Sequence, residues 1–449
     1  MTQRDTWGER LPRTVGLFGA IMVLIGITIG SGIFRVPARV AEQLGEPGPM
    51  LLAWVIGGLL ALFGALTLAE LAAIYPRSGG IFAFLEEGFG PLPAFLFGWS
   101  QLVIIRASSL GAISTIFAEY FGKFVPITPA QVHYVAAGLI AVVGLVNYLG
   151  VAKAGAVTNV ATAAKYGALV LLVLLAFGAG NGTTANFTPA FSGTLNFSAL
   201  ATSMVAVMWA YDGWADLSYM SGEVKDPGRI MPRALIAGTL LIIAIYLSVN
   251  LAYLYLVPVG EMAGQPLIAA TAAERIPLLG GAGASLIAAV VLLSTFSSVN
   301  ATMMASPRIF FGMADRGLFF PVIARVSPRF QSPSTAIGLA TGLSIVYVLF
   351  NDFQQLADKF VLGIWPFYVL AVLAVFRMRR RAPDLPRPYR ALGYPVVPAV
   401  FLLAAFGMIL NALVTDPGNT GFTFGIILLG IPAYYVARAA GWIRPVADR

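Results

Sequence analysis

The sequence GITIGSGIF at residues 26–34 lies inside an apolar stretch that runs over residues 16–40. Gly30 and Gly32 stand on either side of a serine there, and Pro37 follows a few residues later. Because glycine gains more backbone freedom on unwinding than other residues do, this spacing makes a continuous helix costly. We therefore predict a helix that is interrupted between these two glycines.

A second apolar stretch, at residues 199–221, carries a comparable interruption. It contains the sequence WAYDGWAD, in which Gly213 lies between the carboxylates of Asp212 and Asp216. Lipid would not tolerate two carboxylates within an apolar helix, so we predict a second break at this point.

The first interruption, taken alone, has another interpretation. Gly26 and Gly30 form a G-x-x-x-G pattern, which is typical of closely packed membrane helices. Helix packing would be favoured for that stretch by itself, but the matching interruption in the second stretch favours unwinding. A dinucleotide-binding loop is excluded because no βαβ unit surrounds these glycines.

The composition predicts an integral membrane protein without an enzymatic function. The 449 residues are 58% hydrophobic and only 11% charged, whereas a soluble domain carries about 25% charged residues. The chain has no cysteine, which excludes thiolate catalysis, cysteine metal sites and a disulfide to a partner chain. His133 is the single histidine, which excludes histidine metal sites and proton relays. We therefore expect no cofactor and no metal.

Twelve apolar segments fit the length of a membrane-spanning helix, which is about 20 residues. Most of the 28 lysines and arginines fall in loops on one side of these segments, so the positive-inside rule places both termini in the cytoplasm. Since the positive charge lies in these loops, we expect a lipid bilayer and no nucleic acid as a partner. The segments, numbered here as spans 1–12, lie near residues 16–40, 50–75, 92–120, 131–149, 157–179, 199–221, 232–257, 279–305, 334–350, 358–376, 395–414 and 420–438.

The interrupted spans are spans 1 and 6, which are five apart, as expected of two five-helix halves. Paired breaks of this kind are the best pointer in a sequence to a substrate site at the membrane midplane. An unwound segment exposes backbone N–H groups that suit a carboxylate and carbonyl groups that suit an ammonium. An α-amino acid carries both groups at a fixed spacing, so the breaks suggest an amino acid substrate.

An ordered set of motifs along nearly the whole chain resembles the amino acid–polyamine–organocation superfamily, and most closely the bacterial members of its L-amino acid transporter family. Each motif is weak by itself, whereas the set in this order is specific. The motifs are GSGIF at residues 30–34 with Pro37, AEL at 69–71, YPRSGG at 75–80, residues 209–214, EVKDP at 223–227, Pro232 with Arg233, SVN at 298–300, Arg308 and residues 383–390.

The resemblance implies an all-α integral membrane fold with about twelve transmembrane helices. Ten of them are expected to form two inverted five-helix repeats in which helices 1 and 6 are unwound, and two additional helices follow at the C-terminal end. The expected organisation is a cytoplasmic N-terminal segment at residues 1–15, the first repeat at 16–182, the second repeat at 183–376, a basic cytoplasmic loop at 377–394, helices 11 and 12 at 395–440 and a cytoplasmic tail at 441–449.

The resemblance also implies that the backbone of the two breaks binds the substrate. The substrate carboxylate is expected at the N–H groups of Ser31, Gly32 and Ile33, and a side chain at Gly30 or Gly32 is expected to block it. Trp209 occupies the position of the family's aromatic gate, although membrane tryptophans more commonly lie in the core or at the interface. The ammonium is expected at the carbonyl groups of Thr28, Ile29, Trp209, Ala210 and Asp212.

Lys165 lies midway along span 5, too far from either interface for its ammonium to reach water. A buried cation is costly, so it is a functional hypothesis. The family places a lysine where sodium-coupled relatives of the same fold bind sodium, and its ammonium is expected to bridge carbonyl groups of the first break and a hydroxyl of span 8, Ser297 or Ser298. This implies sodium-independent transport. Release of a proton by Lys165 is a second role that we consider, and the fixed charge is favoured.

Ser108, Ser109 and Asp216 are candidates for the pocket that holds the substrate side chain, although small-residue packing explains the serines equally well. Asp212 stands where many family members have a small neutral residue. An acidic pocket would suit lysine, arginine or a polyamine. Alternatively, Asp212 caps the broken helix or pairs with a buried cation, which leaves the pocket neutral. Similar AYDGW sequences in bacterial exchangers of small neutral amino acids favour the neutral pocket.

Two more charged residues fall within the predicted spans. Arg106 lies in span 3, where the resemblance favours a conformational or packing role over substrate contact. Glu70 lies near the cytoplasmic end of span 2, and we expect it to act as a gate or as a structural ion pair.

These observations predict a sodium-independent secondary transporter in the bacterial cytoplasmic membrane, an exchanger of small neutral L-amino acids such as alanine and serine that works by alternating access. The alternatives are a cationic amino acid or polyamine transporter that uses Asp212 and Asp216, and a membrane amino acid sensor. Heteromeric family members bond a heavy subunit through a cysteine between helices 3 and 4. Residues 121–131 contain no cysteine, so we expect no such subunit and a functional monomer.

Overall fold

The computed structural model describes residues 13–443, apart from residues 77–78, 150–153, 194, 324, 326, 328 and 330–331. For residues 154–163, 305, 307–308, 311–312 and 315, only the backbone is described. Most of the two predicted cytoplasmic end segments, the motif residues Arg77 and Ser78, and the side chain of Arg308 therefore lie outside the described residues.

The described chain is helical, and its regular structure outside the helices is one isolated bridge between Val15 and Val224. Four 3-10 turns, Gly32–Phe34, Thr184–Phe187, Asp216–Glu223 and Pro277–Ala282, and one π-helical turn, Gln101–Ile105, connect or interrupt the α-helices. The helices are α1 Leu17–Thr28, α2 Val36–Leu44, α3 Pro47–Ile74, α4 Ile81–Phe89, α5 Pro91–Ser100, α6 Arg106–Phe121, α7 Pro129–Tyr148, α8 Ala154–Ala179, α9 Phe197–Tyr211, α10 Pro227–Leu256, α11 Val259–Met262, α12 Ile268–Glu274, α13 Gly283–Asp315, α14 Ser334–Phe350, α15 Phe353–Arg381, α16 Val396–Thr415 and α17 Pro417–Ala439.

Eight helical stretches of the described chain are long and apolar enough to cross a bilayer. Three shorter apolar helices, α1, α14 and residues 164–179 of α8, accompany them. The helical, membrane-spanning character that the sequence predicts is therefore confirmed. The count of twelve spans and the division into two inverted repeats stay predictions.

The two interrupted segments lie at the centre of the helix packing. Helix α10 packs along α1 and α3, and α13 packs against α6 and α8. Helix α2, which follows the first interruption, packs against α9, which precedes the second, and α15 packs against α9 from another side. The fold therefore brings the two interruptions together, with α10 and α15 beside them.

The basic loop after α15 is held to the end of α3 by one buried carboxylate. Glu70 accepts hydrogen bonds from Arg379 at 2.9 and 2.5 Å and from the Ala391 N–H at 2.7 Å, and Arg387 lies 3.3 Å from it. Its side chain is only 1% exposed. Of the two expected roles of Glu70, the structure therefore places it in an ion pair with the basic loop.

Candidate substrate site at two broken helices

The first break begins where α1 ends, at Thr28. The N–H of Gly30 turns back to the carbonyl oxygen of Thr28 at 2.8 Å, which is too short a turn for an α-helix. Helix α2 starts at Val36 with Pro37 in its first turn, a position where the missing N–H of proline costs nothing. Between them, the N–H groups of residues 31–33 donate to no acceptor in the described part of the chain.

The second break begins where α9 ends, at Tyr211. Asp212 is extended, with φ −61° and ψ 153°, and Gly213 has a φ of +110°, which residues with a side chain rarely adopt. The chain then turns into the 3-10 segment Asp216–Glu223, where Asp216 N–H donates to the Gly213 carbonyl oxygen at 3.0 Å. Both predicted breaks are thus present at the predicted glycines.

The two breaks touch each other through glycines. A Cβ atom on Gly32 would lie 2.7 Å from the Cα of Ala210, and a Cβ on Gly213 would lie 2.7 Å from Oγ1 of Thr28. Both distances are too short for a carbon atom to occupy. By contrast, a Cβ on Gly30 would meet the Oγ of Ser298 at 3.7 Å, which is an ordinary contact. The structure therefore distinguishes the two glycines of the first break, which the sequence does not.

One hydroxyl group joins the two breaks. The Oη of Tyr246 on α10 lies 3.0 Å from the carbonyl oxygen of Thr28 and 2.9 Å from that of Ala210, so its O–H is shared between them. The ring of Tyr246 is fully buried against the rings of Trp54 and Tyr211, at centroid distances of 5.6 and 5.1 Å. Sequence reasoning missed Tyr246 because nothing distinguishes it from the other tyrosines of the apolar spans.

The predicted acceptors of the substrate ammonium therefore divide into two sets. The carbonyl oxygens of Thr28 and Ala210 are engaged by Tyr246. Those of Ile29, Trp209 and Asp212 accept no hydrogen bond from any described residue. Unpaired N–H groups and unpaired carbonyl oxygens thus belong to two segments that are in contact with each other.

Lys165 replaces a backbone hydrogen-bond donor that is lost at the first break. Because the Gly30 N–H bonds to Thr28, the carbonyl oxygen of Gly26 loses the partner that a continuous helix would give it. The Nζ of Lys165 donates to this oxygen at 3.0 Å, which places a cation at the C-terminal end of α1. The side chains of Lys165, Ser297 and Ser298 are all described, and no hydrogen bond joins the lysine to either serine.

Trp209 lies beside the second break and is 8% exposed. Its ring makes edge-to-face contacts with Phe360 at 5.0 Å and with Phe353 at 6.1 Å, both on α15. The guanidinium of Arg35 lies 5.1 Å from the centre of the Phe353 ring. The predicted gate residue is therefore packed in an aromatic cluster that leads from the site towards α2.

Ion pairs fix the segment that follows the first break to two neighbouring helices. Arg35 donates to Glu119 of α6 at 3.0 Å, and Arg39 makes two parallel hydrogen bonds, at 3.0 and 3.1 Å, to Asp358 of α15. The Arg39 side chain is 4% exposed, so this pair is buried. Such planar two-point pairs are stronger than single hydrogen bonds, and they fix α2 to the helices around it.

The predicted side-chain pocket contains both satisfied and unsatisfied polar groups. Asp212 accepts a hydrogen bond from the hydroxyl of Tyr368 on α15 at 2.7 Å, a partner that sequence reasoning missed. One carboxylate oxygen of Asp216 is buried and has no partner in the described residues, and the hydroxyl of Ser108 is likewise buried without a partner there. Ser109 is buried as well, at 6% exposure.

Comparisons with known proteins identify the family of this chain. A family model described as amino acid permease matches residues 15–435. The serine/threonine exchanger SteT of Bacillus subtilis is 32% identical over 95% of this chain and 97% of its own length. The human b(0,+)-type amino acid transporter 1 is 32% identical over 97% of this chain and 91% of its own. The human cystine/glutamate transporter is 31% identical over 98% of this chain and 89% of its own.

The contact between the two breaks predicts different effects at the two glycines. Gly32→Ala forces a methyl group against the backbone at Ala210, where overpacking costs about 1–3 kcal/mol, so we expect transport to fall by about tenfold or more. Gly30→Ala makes only an ordinary contact with Ser298 and is expected to keep most of the activity. Amino acid flux into proteoliposomes, with thermal unfolding as a check on folding, measures both. Equal losses in the two variants would contradict this assignment.

The position of the Tyr246 hydroxyl between the two breaks predicts that its removal impairs transport. Tyr246→Phe leaves the buried carbonyl oxygen of Ala210 without a donor and that of Thr28 with the Gly30 N–H alone, at a cost of about 1–3 kcal/mol, so flux is expected to fall by about tenfold. Tyr253→Phe is the matched control, because Tyr253 is equally buried on the same helix and its hydroxyl has no partner among the described residues. Equal flux in the two variants would show that the bridge does not matter for transport.

Proposed function

This chain belongs to the amino acid permease family, and within the amino acid–polyamine–organocation superfamily to the L-amino acid transporter family, and on that premise we propose that it is a sodium-independent exchanger of small neutral L-amino acids. It is an integral membrane protein, and the family and its relatives are amino acid transporters. The proposal concerns which amino acids it carries and how.

The observation that carries the proposal is the set of unpaired backbone groups at the two breaks. N–H groups at residues 31–33 suit a carboxylate, and carbonyl oxygens of Ile29, Trp209 and Asp212 suit an ammonium. Hydrogen bonds to charged groups contribute about 1.5–3 kcal/mol each, so a ligand that satisfies both sets is selected over one that satisfies a single set. Every α-amino acid meets this condition, whatever its side chain.

The hydrogen bond between Tyr368 and Asp212 supports a neutral side-chain pocket. Because Asp212 already accepts from Tyr368, its carboxylate does not need a substrate cation to satisfy that oxygen. The similarity to a serine/threonine exchanger over nearly the full length of both chains points in the same direction. The unpartnered oxygen of Asp216 favours the second candidate, a transporter of cationic amino acids or polyamines. An amino acid sensor is a third candidate, because binding alone would use the same backbone groups.

The bond from Lys165 to Gly26 supports sodium independence. A fixed ammonium at the end of α1 supplies the positive charge that a bound sodium ion would supply there. The proposed cycle is alternating access, in which the segments around the breaks move relative to the helices that surround them. The ion pairs of Arg35 and Arg39 open on one side of the site as the other side closes.

The remaining parts of the proposal concern arrangement in the membrane. We assign residues 16–182 and 183–376 to two inverted repeats and place both termini in the cytoplasm of a bacterial cell. We assign the chain a monomeric state, and because it has no cysteine it forms no disulfide to a heavy subunit.

Flux in sealed vesicles tests the proposal. Purified protein is placed in sodium-free proteoliposomes loaded with unlabelled alanine, and uptake of labelled alanine, serine, leucine and arginine is compared with uptake into unloaded vesicles. We expect internal alanine to stimulate alanine and serine uptake. Lactate and alaninamide, which each lack one of the two charged groups, are expected to compete at least about tenfold less well than alanine.

Each of the other outcomes of this experiment would contradict a part of the proposal. Uptake of arginine alone would replace the neutral exchanger by the cationic transporter. Binding of alanine by folded protein without any flux would identify a sensor. A strict requirement for sodium would contradict the role given to Lys165.

The role of Lys165 predicts the effect of removing its charge. Lys165→Ala leaves the Gly26 carbonyl oxygen unpaired and removes a charge-assisted hydrogen bond of about 1.5–3 kcal/mol, so we expect exchange to fall by about tenfold or more. Lys123→Ala is the control, because Lys123 pairs with Glu274 at the surface and is 34% exposed. Unimpaired sodium-free exchange by Lys165→Ala would show that the buried charge is not needed.

A further inference from the structure

A group of buried polar residues on the α15 side of the second break carries an unbalanced charge. Asp212 and Asp216 contribute two carboxylates, and Arg106 at the start of α6 contributes one guanidinium that interacts electrostatically with both. The Arg106 side chain is buried, with 7% exposure. Within the described residues, no lysine or arginine lies within 4.0 Å of either aspartate. The group therefore carries one negative charge in excess when both aspartates are ionised.

The helix geometry at Arg106 is unusual. The five residues Gln101–Ile105 form a π-helical turn, and the N–H of Arg106 bonds to the carbonyl oxygen of Gln101. One π turn shifts the following residues around the helix axis, and such turns occur frequently at functional sites. Here the turn precedes the only charged side chain of α6 before Glu119.

Several polar atoms of this group have no hydrogen-bond partner. They are buried, and they include Oδ1 of Asp216, Nε of Arg106 and the hydroxyl of Tyr219. Tyr219 interacts electrostatically with Asp216, Arg106 and Asp212. Buried polar groups are almost always paired, so unpaired ones that lie together indicate a bound water or ion. Asp212 and Asp216 are partly exposed as whole residues, although Oδ1 of Asp216 itself is buried.

A neutral amino acid does not balance the charge of this group. Its own carboxylate and ammonium are satisfied by the unpaired backbone groups of the breaks, so its net charge remains zero. When the site closes and water leaves, an unpaired buried carboxylate becomes costly by several kcal/mol. A positive charge that does not come from the substrate has to enter with it.

Asp212 and Asp216 differ in how readily their carboxylates can take up that positive charge. Tyr368 donates its O–H to Asp212, which stabilises the ionised form of Asp212. Oδ1 of Asp216 has no donor and is free to carry a hydrogen atom of its own. The other groups that act on Asp216 are Arg106 on α6, Tyr368 on α15 and Tyr219 on its own turn. Of the helices that pack against this turn, α1 has no charged residue and α10 has two arginines, Arg229 and Arg233, that are exposed.

We propose that Asp216 is a proton-binding site, and that its carboxylate must take up one proton from water before the site closes around a neutral amino acid. An O–H bond forms on Asp216 on the side where the site is open, and the proton returns to water when the site opens again. In one-for-one exchange, each amino acid crosses with one proton in either direction, so no net proton movement results. This inference rests on the proposed neutral exchange.

The test is the pH profile of alanine exchange with the same buffer inside and outside the vesicles, between about pH 5 and about pH 8. The wild-type rate is expected to fall as pH rises, with a limiting slope of about tenfold per pH unit, as for one titrating group. Asp216→Asn, which is neutral at every pH, is expected to exchange at the wild type's acid-limit rate throughout. Asp384→Asn, on an exposed loop position, is expected to follow the wild-type profile.

The opposite results would overturn the inference. These are a flat wild-type profile, an unchanged slope in Asp216→Asn, and a folded Asp216→Asn protein that does not exchange at any pH. If Asp216→Asn does not fold, Asp216→Glu provides the test. This variant keeps a carboxyl group and is expected to shift the pH profile along the pH axis. A profile identical to that of the wild type would overturn the inference. Exchange of alanine with no pH dependence would leave the proposed function intact, whereas uptake of arginine alone would contradict the proposed function itself.

Discussion

A broken helix in the middle of a bilayer leaves backbone N–H and carbonyl groups that lipid cannot satisfy, and the structure of this protein follows from that constraint. Tyr246 donates to two of the freed carbonyl oxygens, and Lys165 donates to a third. Glycine at positions 32 and 213 lets the two broken segments approach until their backbones touch. Because each partner comes from a different helix, the breaks also fix α8 and α10 to the centre of the protein.

The protein satisfies only some of these groups, and the rest define what it can bind. The N–H groups of residues 31–33 and the carbonyl oxygens of three further residues stay unpaired. They are main-chain groups, so changes of side chain do not alter them. In the proposed site, the part of the substrate common to all amino acids is thus recognised by the backbone, and the part that differs is recognised elsewhere. This division fits relatives of about one-third identity that are named for serine and threonine in one case and for cystine and glutamate in another.

The sequence predicts the breaks but not their partners. Gly30, Gly32 and Gly213 locate the interruptions because glycine spacing acts locally, and Lys165 is conspicuous because a charge in an apolar span is rare. The 16 tyrosines carry no such signal, and only the packing of α10 and α15 distinguishes Tyr246 and Tyr368 from the others. The π turn before Arg106 and the pair of Arg39 with Asp358 are likewise set by tertiary contacts.

The buried ion pairs at α2 connect the proposed substrate binding to the proposed exchange. In the proposed alternating-access cycle, Arg39 separates from Asp358, and separating a buried ion pair is costly. An empty site has nothing to offset this cost, and its backbone groups stay unpaired as well. A bound amino acid pairs both sets of backbone groups and stabilises the closed intermediate through which the conformational change passes. In the proposed cycle, the loaded protein therefore crosses more readily than the empty one, and this difference favours one-for-one exchange over net uptake.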